Sequence, residues 1–499
     1  MRPMKYLTGL LMAALVMSGP AFADDKKEEA AKPVGEPKVF ETTHKGTFGG
    51  TAVSYKAVAG ETYLKDENGE PTAAIFSTSY IRTDVKDTVS RPVFFVFNGG
   101  PGSASVWLHM GLYGPKRIIV PSDAKDDGAA PFKLVDNPDS ILDQVDMVFI
   151  DPVGTGWSRA IGKGKSEDFW GVKEDAKSVA EFIRIWLQKN NRWNSPKYLS
   201  GESYGTTRAA ALLNELQGSY TDIAINGVAL ISSILDFSWD SYDPGQTRAY
   251  IGYLPTMAAT AWYHGLVSHE GRTLEGYIEE VRQFALGDYA TALLLGNRLP
   301  KAKFNEIAEK VAGYTGLKLQ YVKNANLRVH YYKYLKELRR DEGLTVGRLD
   351  GRYLGRDYEG TGEHFDNDPS FYGIDSAYNA GTMHYFQNDL KVDIERKFTV
   401  IGGVRNWKGL EYGGYDGGFV NVAQHVGQAQ RENSGIKILV ANGYYDFATP
   451  FFATENTFND NGIDTAKVTF TYYESGHMMY AHEPSFQQLV KDVRDFIRK

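Results

Sequence analysis

Between Ser200 and Thr207 the chain reads SGESYGTT, with one serine set two residues from a glycine on either side, an acid before it and a tyrosine after it. Gly201-Glu202-Ser203-Tyr204-Gly205 fits G-x-S-x-G. That is the pattern of a serine nucleophile held on a tight strand-to-helix turn, where the glycines relieve crowding around a strained serine. The chemistry it points to is attack on an acyl carbon. By composition the pattern should occur roughly 0.3 times in a chain of this size, so context must decide; an N-capping serine in an ordinary turn is the alternative.

A serine hydroxyl needs a base and the base an orienting acid, and on a strand-turn-helix scaffold the order is serine, acid, histidine. Of ten histidines, only His477 and His482 follow KILVANGYYDF, whose Asp446 stands just past an expected strand end. His477, in YYESGHMMY, leaves the last apolar strand through a glycine turn and is the expected base. His482, beside Glu483 and Pro484, is the second candidate, and a turn-forming aspartate is the alternative for Asp446. An oxyanion needs donors: the N–H of Tyr204 directly after the serine, and that of Gly100 in FNGGPGSAS, where glycines let the backbone approach a substrate closely.

These residues require a scaffold that brings strand ends together. RPVFFVF, DMVFI, GVALISSIL, KILVANG and KVTFTYY are near-continuous apolar runs suited to strands buried on both faces of a parallel sheet. Between Glu167 and Asn190, the positions Phe169, Val172, Ala176, Val179, Phe182, Ile183 and Trp186 recur at helical spacing, and TTRAAALLNELQ after the serine favours a helix ending near Gly218. The expected fold is therefore α/β, with a mainly parallel sheet, preceded by an antiparallel lead-in that turns at Asn68-Gly69. Residues 238–384 differ in texture, with HYYKYLKELRR and a glycine-rich GRLDGRYLGRDYEGTGEHF. They are expected to form an inserted, largely helical cap over the C-terminal edge of the sheet, leaving 39–237 and 385–499 as the core.

The N-terminus carries Arg2 and Lys5, an apolar core from Leu7 to Met17 and the small-residue site Ala21-Phe22-Ala23. Residues 1–23 are expected to be a cleaved secretory signal, and 24–38 a charged, proline-bearing linker. The expected location is periplasmic or secreted. Without Arg2 and Lys5 the formal charge passes from −7 to −9, and no basic tract suggests nucleic acid or an anionic membrane as partner. The chain has no cysteine, which removes thiol nucleophiles and thiolate metal sites. No H-E-x-x-H or calcium loop is present, and DPVGTGWS lacks the third glycine of a dinucleotide fingerprint, so no metal or other cofactor is expected.

Taken together, NGGPGSAS (98–105), DPVGTGWS (151–158), GESYG (201–205) and GYYDF with SGHMMY resemble the serine carboxypeptidase family, peptidase family S10, in the family's order. The resemblance spans most of the chain beyond its leader. It implies an α/β-hydrolase fold with an insertion and the release of C-terminal residues from peptides through an acyl-enzyme. It also implies Ser203 as nucleophile, His477 as base then acid, Asp446 as orienter, and Gly100 and Tyr204 as oxyanion donors. The substrate carboxylate would be held by Asn98, Gly99 and Glu202.

Three departures stand out. Ser103 replaces the family's usual cysteine, and Asp151 directly precedes Pro152, one residue short of the family's D-x-P-x-G-x-G. Leu112 stands where the family has a second glutamate paired with the one beside the nucleophile. Two adjacent carboxyl groups cannot both ionise cheaply; without the partner, Glu202 is expected to ionise more readily unless burial opposes it, weakening the hold on a free C-terminus above mildly acidic pH. Leu112 also gives weight to an esterase or acyltransferase on the same residues. A non-catalytic peptide-binding homologue is the more distant reading.

Overall fold

Apolar runs buried on both faces build the centre of the molecule. In the computed structural model, which describes residues 34–217, 222–409 and 418–498, the strand VFFVF sends Phe94 and Val96 into one apolar cluster and Val93, Phe95 and Phe97 into the other. The expected leader and residues 24–33 of the expected linker lie outside the described residues.

The main sheet is formed by β1 (Val39–Phe48), β2 (Thr51–Lys65), β3 (Pro71–Arg82), β4 (Val93–Phe97), β5 (Asp146–Asp151), β6 (Lys197–Ser203), β7 (Gly227–Ser233), β8 (Lys437–Gly443) and β9 (Val468–Tyr473). Its spatial order is β1-β2-β3-β5-β4-β6-β7-β8-β9, with the short strand Arg159–Ala160 beside β3. The first three strands and the β3–β5 contact are antiparallel; every pairing from β5 to β9 is parallel. The hairpin between β2 and β3 turns where expected. Gly69 takes φ 82°, and Asp66 Oδ1 accepts the N–H groups of Asn68 and Glu70, both at 2.9 Å. This is an α/β-hydrolase sheet, mostly parallel, with an antiparallel lead-in.

Helices cover both faces. In chain order they include α1 (Val172–Lys189), α2 (Tyr204–Gln217), α3 (Arg248–Tyr263), α4 (Leu274–Phe284), α5 (Lys301–Thr315), α6 (Tyr331–Glu337), α7 (Asp375–Asn388), α8 (Ala423–Glu432), α9 (Phe451–Asp460) and α10 (Glu483–Arg498). The apolar stripe of α1 is the one the sequence spacing predicts, except that the helix starts at Val172; Phe169 lies before it, after the single turn Ser166–Asp168. A second difference concerns KVTFTYY, expected as a fully buried strand. β9 ends the sheet with a neighbour on one side only, and most of its residues are partly exposed.

Within the expected insertion, α3 to α6 and the ribbon of Thr345–Val346 with Leu354–Gly355 gather around Tyr253, Tyr334 and Phe447, on the loop that follows β8. From α7 onward the chain returns to the main core, where Tyr378, Tyr385 and Phe386 join the cluster that also holds Phe94 and α10. The strand ends converge as a site requires: β4, β6, β7 and β8 are neighbours, and their C-terminal ends open on the same edge.

The turn at the end of β6 depends on glycine. A Cβ on Gly201 would collide with the carbonyl oxygen of Gly205, and one on Gly205 would lie 2.8 Å from the carbonyl oxygen of Phe97. Both neighbours are backbone and cannot swing aside. Gly201→Ala is therefore expected to lower unfolding stability by about 2 kcal/mol or more. A urea titration followed by tryptophan fluorescence checks this, and an unshifted midpoint would contradict it.

Candidate active site

Ser203 is the last residue of β6, and Tyr204 the first of α2. Its φ is +60°, a left-handed conformation that costs a non-glycine residue on the order of 1–3 kcal/mol and persists only where the surroundings impose it. The reward is position: the hydroxyl stands at the start of a helix, on the floor of a cavity of about 320 Å³. Asn98, Gly99, Gly100, Glu202, Tyr204 and His477 line the same cavity.

Behind His477 lies Asp446, three residues past the end of β8 and fully buried. His477 Nδ1 is 2.7 Å from Asp446 Oδ2, and the carboxylate also accepts Thr449 Oγ1 (2.6 Å) and the N–H groups of Ala448 (2.7 Å) and Thr449 (3.0 Å). Held by these donors, the carboxyl group is fixed in place and aims the ring. Burial alone would depress the imidazole, but the Asp446 charge and hydrogen bond outweigh it and raise the pKa of His477 above its ordinary value, with Glu202 assisting and Arg348 opposing. His482 takes another role, its Nδ1 meeting Ser485 Oγ at 2.8 Å in the first turn of α10.

The segment expected as an insertion is stitched to both of these loops. Leu349 O accepts the N–H of His477 (2.6 Å), Arg348 O accepts that of Phe447 (3.0 Å), and Tyr445 O accepts that of Gly351 (2.8 Å). Asp350, paired with Arg352 at 2.6 Å, accepts the N–H of Gly476 at 3.1 Å. The residues carrying the acid and the base are thus spaced by one strip of the insertion.

Gly100 lies in the loop after β4, pressed against the turn that carries Ser203. A Cβ at Gly99 would stand 2.5 Å from the backbone nitrogen of Tyr204. Underneath, Arg208 of α2 pairs with Asp175 of α1 (2.6 Å) and donates to the carbonyl of Asn98 (2.5 Å), which fastens the loop to the helix. The Asn98 side chain accepts the N–H of Leu108 (3.0 Å) and donates to Glu202 Oε1 (2.9 Å).

Glu202 is 3% exposed, and its second oxygen accepts a hydrogen bond from Tyr480 Oη at 2.7 Å. Burial is the largest influence and pushes its carboxyl up to about 7. His477 and the hydrogen bonds from Tyr480 and Asn98 favour the anion but do not cancel it. The condition attached to the sequence expectation is met: burial opposes ionisation, so Glu202 holds its proton more firmly than a free glutamate despite lacking the carboxyl partner. Leu112 is buried in the apolar core, in the turn Leu108–Tyr113. The ring of Tyr480 packs on this same turn, where a Cβ at Gly111 would approach it to 2.5 Å. The Tyr480 phenol that meets Glu202 therefore lies beside the turn that carries Leu112. Tyr480 was visible in SGHMMY, three residues after His477, but nothing in the sequence pointed its hydroxyl at Glu202.

A model of the family described as serine carboxypeptidase matches residues 63–487. The chain belongs to the serine carboxypeptidase family. Among curated members in Arabidopsis thaliana it is 26% identical to serine carboxypeptidase-like 25 over 273 residues (52% of this chain, 50% of that protein). It is 30% identical to serine carboxypeptidase-like 3 over 158 residues (30% and 34%). The chain spans about half or less of the length of these relatives. Among solved structures, a prohormone-processing carboxypeptidase of Saccharomyces cerevisiae shares the fold with a TM-score of 0.52 at 17% identity, covering 88% of this chain and 91% of that one.

The raised Glu202 pKa has a sign that can be checked. An ordinary glutamate loses its proton near 4.5 and the folded one near 7, so this group's contribution to stability is fully present below about 4.5 and is lost as pH rises to 7. The stability of the wild type relative to Glu202→Gln should fall by on the order of 2–3 kcal/mol between pH 4.5 and 7.5. Paired denaturant titrations at the two pH values read this difference directly.

Proposed function

We propose that this chain is an exported serine-type carboxypeptidase that releases C-terminal residues from peptides through an acyl-enzyme. The observation that carries the reading is the buried Glu202 beside Ser203, gripped by Asn98 and Tyr480 and inclined to keep its proton. A neutral carboxyl in a cavity wall can donate a hydrogen bond to a substrate carboxylate, a service that hydrolysis of a neutral ester does not require. The leader in the sequence supports export.

In this reading Ser203 Oγ attacks the carbonyl carbon of the last peptide bond while His477 Nε2 takes the hydroxyl proton. The Asp446 carboxylate stabilises the imidazolium through Nδ1. The N–H groups of Gly100 and Tyr204 receive the developing oxyanion. His477 returns the proton to the departing amine, and the C-terminal residue leaves from the side where Asn98, Gly99 and Glu202 hold its carboxylate. Water, activated by the same imidazole, then frees the acyl chain. An esterase or acyltransferase on these residues is favoured by Leu112, and paired substrates separate the two readings.

Ser203→Ala should lower kcat by at least about a thousandfold and abolish labelling by an active-site phosphonate. Product analysis on one long peptide should show stepwise loss from the C-terminus. Indifference between free-acid, amidated and esterified substrates would defeat the carboxypeptidase reading.

The pH dependence follows from Glu202. Its proton is present below about 7, so the ratio of kcat/KM for a free-acid peptide to that for its ester should be highest in acid and fall through about pH 7. Tyr480→Phe deletes a donor to the anionic form, so the fall should move to higher pH. A flat ratio from pH 5 to 8 would contradict this assignment.

A further inference from the structure

Strand order gives the cavity two flanks. β4 borders β6 on one side and leads into the loop with Asn98 and Gly99; β7 and β8 lie on the other. The cavity residues that follow β7 and β8 are Ile234, Phe237, Asp240, Ala448 and Thr449. With the terminal carboxylate bound on the β4 flank, as in the function proposed above, the acyl side of the scissile bond lies over the β7–β8 flank.

Arg348 reaches that second flank from the inserted segment and lines the cavity. Its place is rigidly set: its N–H donates to Asp368 Oδ1 (3.0 Å), its carbonyl accepts from Phe447 (3.0 Å), and Nε donates to Tyr331 Oη (3.3 Å). Its two terminal nitrogens have no hydrogen-bond partner, and no carboxylate lies within ion-pairing distance, among the described residues. Elsewhere the half-buried and buried arginines are engaged: Arg208 with Asp175, Arg192 with Asp146, Arg352 with Asp350 and Arg282 with Glu455.

Burial opposes the Arg348 charge, but the Tyr331 hydroxyl beside it outweighs that and the guanidinium stays charged with no anion to meet it. It is partly desolvated, and its charge acts against protonation of His477, the event on which the proposed mechanism depends. A substrate anion placed against it would relieve both costs at once, binding and easing the proton transfer together. Asp240, on the same wall, forms no ion pair with Arg348: its Oδ1 accepts from Tyr253 Oη at 2.5 Å, and burial raises its pKa although the Tyr253 hydrogen bond and the Arg348 charge oppose this.

We propose that Arg348 selects the residue on the acyl side of the cut bond, pairing with the side-chain carboxylate of a penultimate aspartate or glutamate, so that the preferred substrates are peptides with acidic C-terminal regions. The inference rests on the carboxypeptidase reading only for which flank receives the acyl side.

The test is a set of N-blocked dipeptides, each with a free C-terminus, and the matching N-blocked amino-acid esters, with Glu, Gln or Lys at the acyl position. In the wild type, kcat/KM should favour Glu over Gln by at least about tenfold in both sets, the scale of one charge-assisted contact. The gain should include kcat. Arg348→Gln should lower the Glu substrates at least about tenfold more than the Gln substrates, and Asp240→Asn should raise the Glu-to-Gln ratio.

Absence of a Glu preference in the wild type, or an Arg348→Gln variant that slows all substrates alike, overturns the proposal. If that variant does not fold, the wild-type series decides alone. Esters cleaved with the Glu preference while the peptides are untouched would uphold Arg348 and defeat the carboxypeptidase reading instead.

Discussion

The arrangement depends on a contact made without side chains. The loop leaving β4 and the turn leaving β6 come from adjacent parallel strands, and their backbones touch: Gly99 lies against the nitrogens of Tyr204 and Gly205, and Gly205 against the carbonyl of Phe97. Strands set the spacing, and only glycine tolerates it once both chains bend over the same edge. Two proposed oxyanion donors, one on each loop, are brought together by this closeness. The buried Arg208–Asp175 pair, tied to the Asn98 carbonyl, holds the loop from beneath without entering the cavity.

Around this contact, charge is governed more by exclusion of water than by pairing. Asp446 is buried and surrounded by donors; Glu202 is buried with fewer, and burial pushes its carboxyl up to about 7. Two carboxyl groups near one imidazole thus stand in different surroundings, one holding the ring and the other facing the cavity. Gly111 makes room for the ring of Tyr480, whose phenol is a hydrogen-bond partner of Glu202.

Much of this was legible in the sequence. The doubly buried runs named β4, β5, β7 and β8, and the serine, acid and histidine stood in the order that a single strand edge can assemble. What was hidden depended on distant segments meeting. No periodicity signals that Tyr480 donates to Glu202, that Leu349 O accepts from His477, or that Arg348 arrives in the cavity, since each is an irregular residue placed by long-range packing. β9 was misjudged because its apolar composition does not reveal that it has a neighbour on one side only. The effect of Leu112 was half seen: the loss of a carboxyl partner is readable from spacing, whereas the burial that offsets it is a property of the folded chain.

The strip from Arg348 to Arg352 carries a wider consequence. It bonds to the loops of Asp446 and His477 while presenting a side chain to the cavity, so the proposed selector of substrate and the proposed catalytic residues share one stretch of backbone. Such a segment is not an exchangeable module. Grafting the insertion of one family member onto the core of another would disturb the machinery along with the selectivity, whereas a change of a single side chain on the strip leaves its carbonyls and amides where they are.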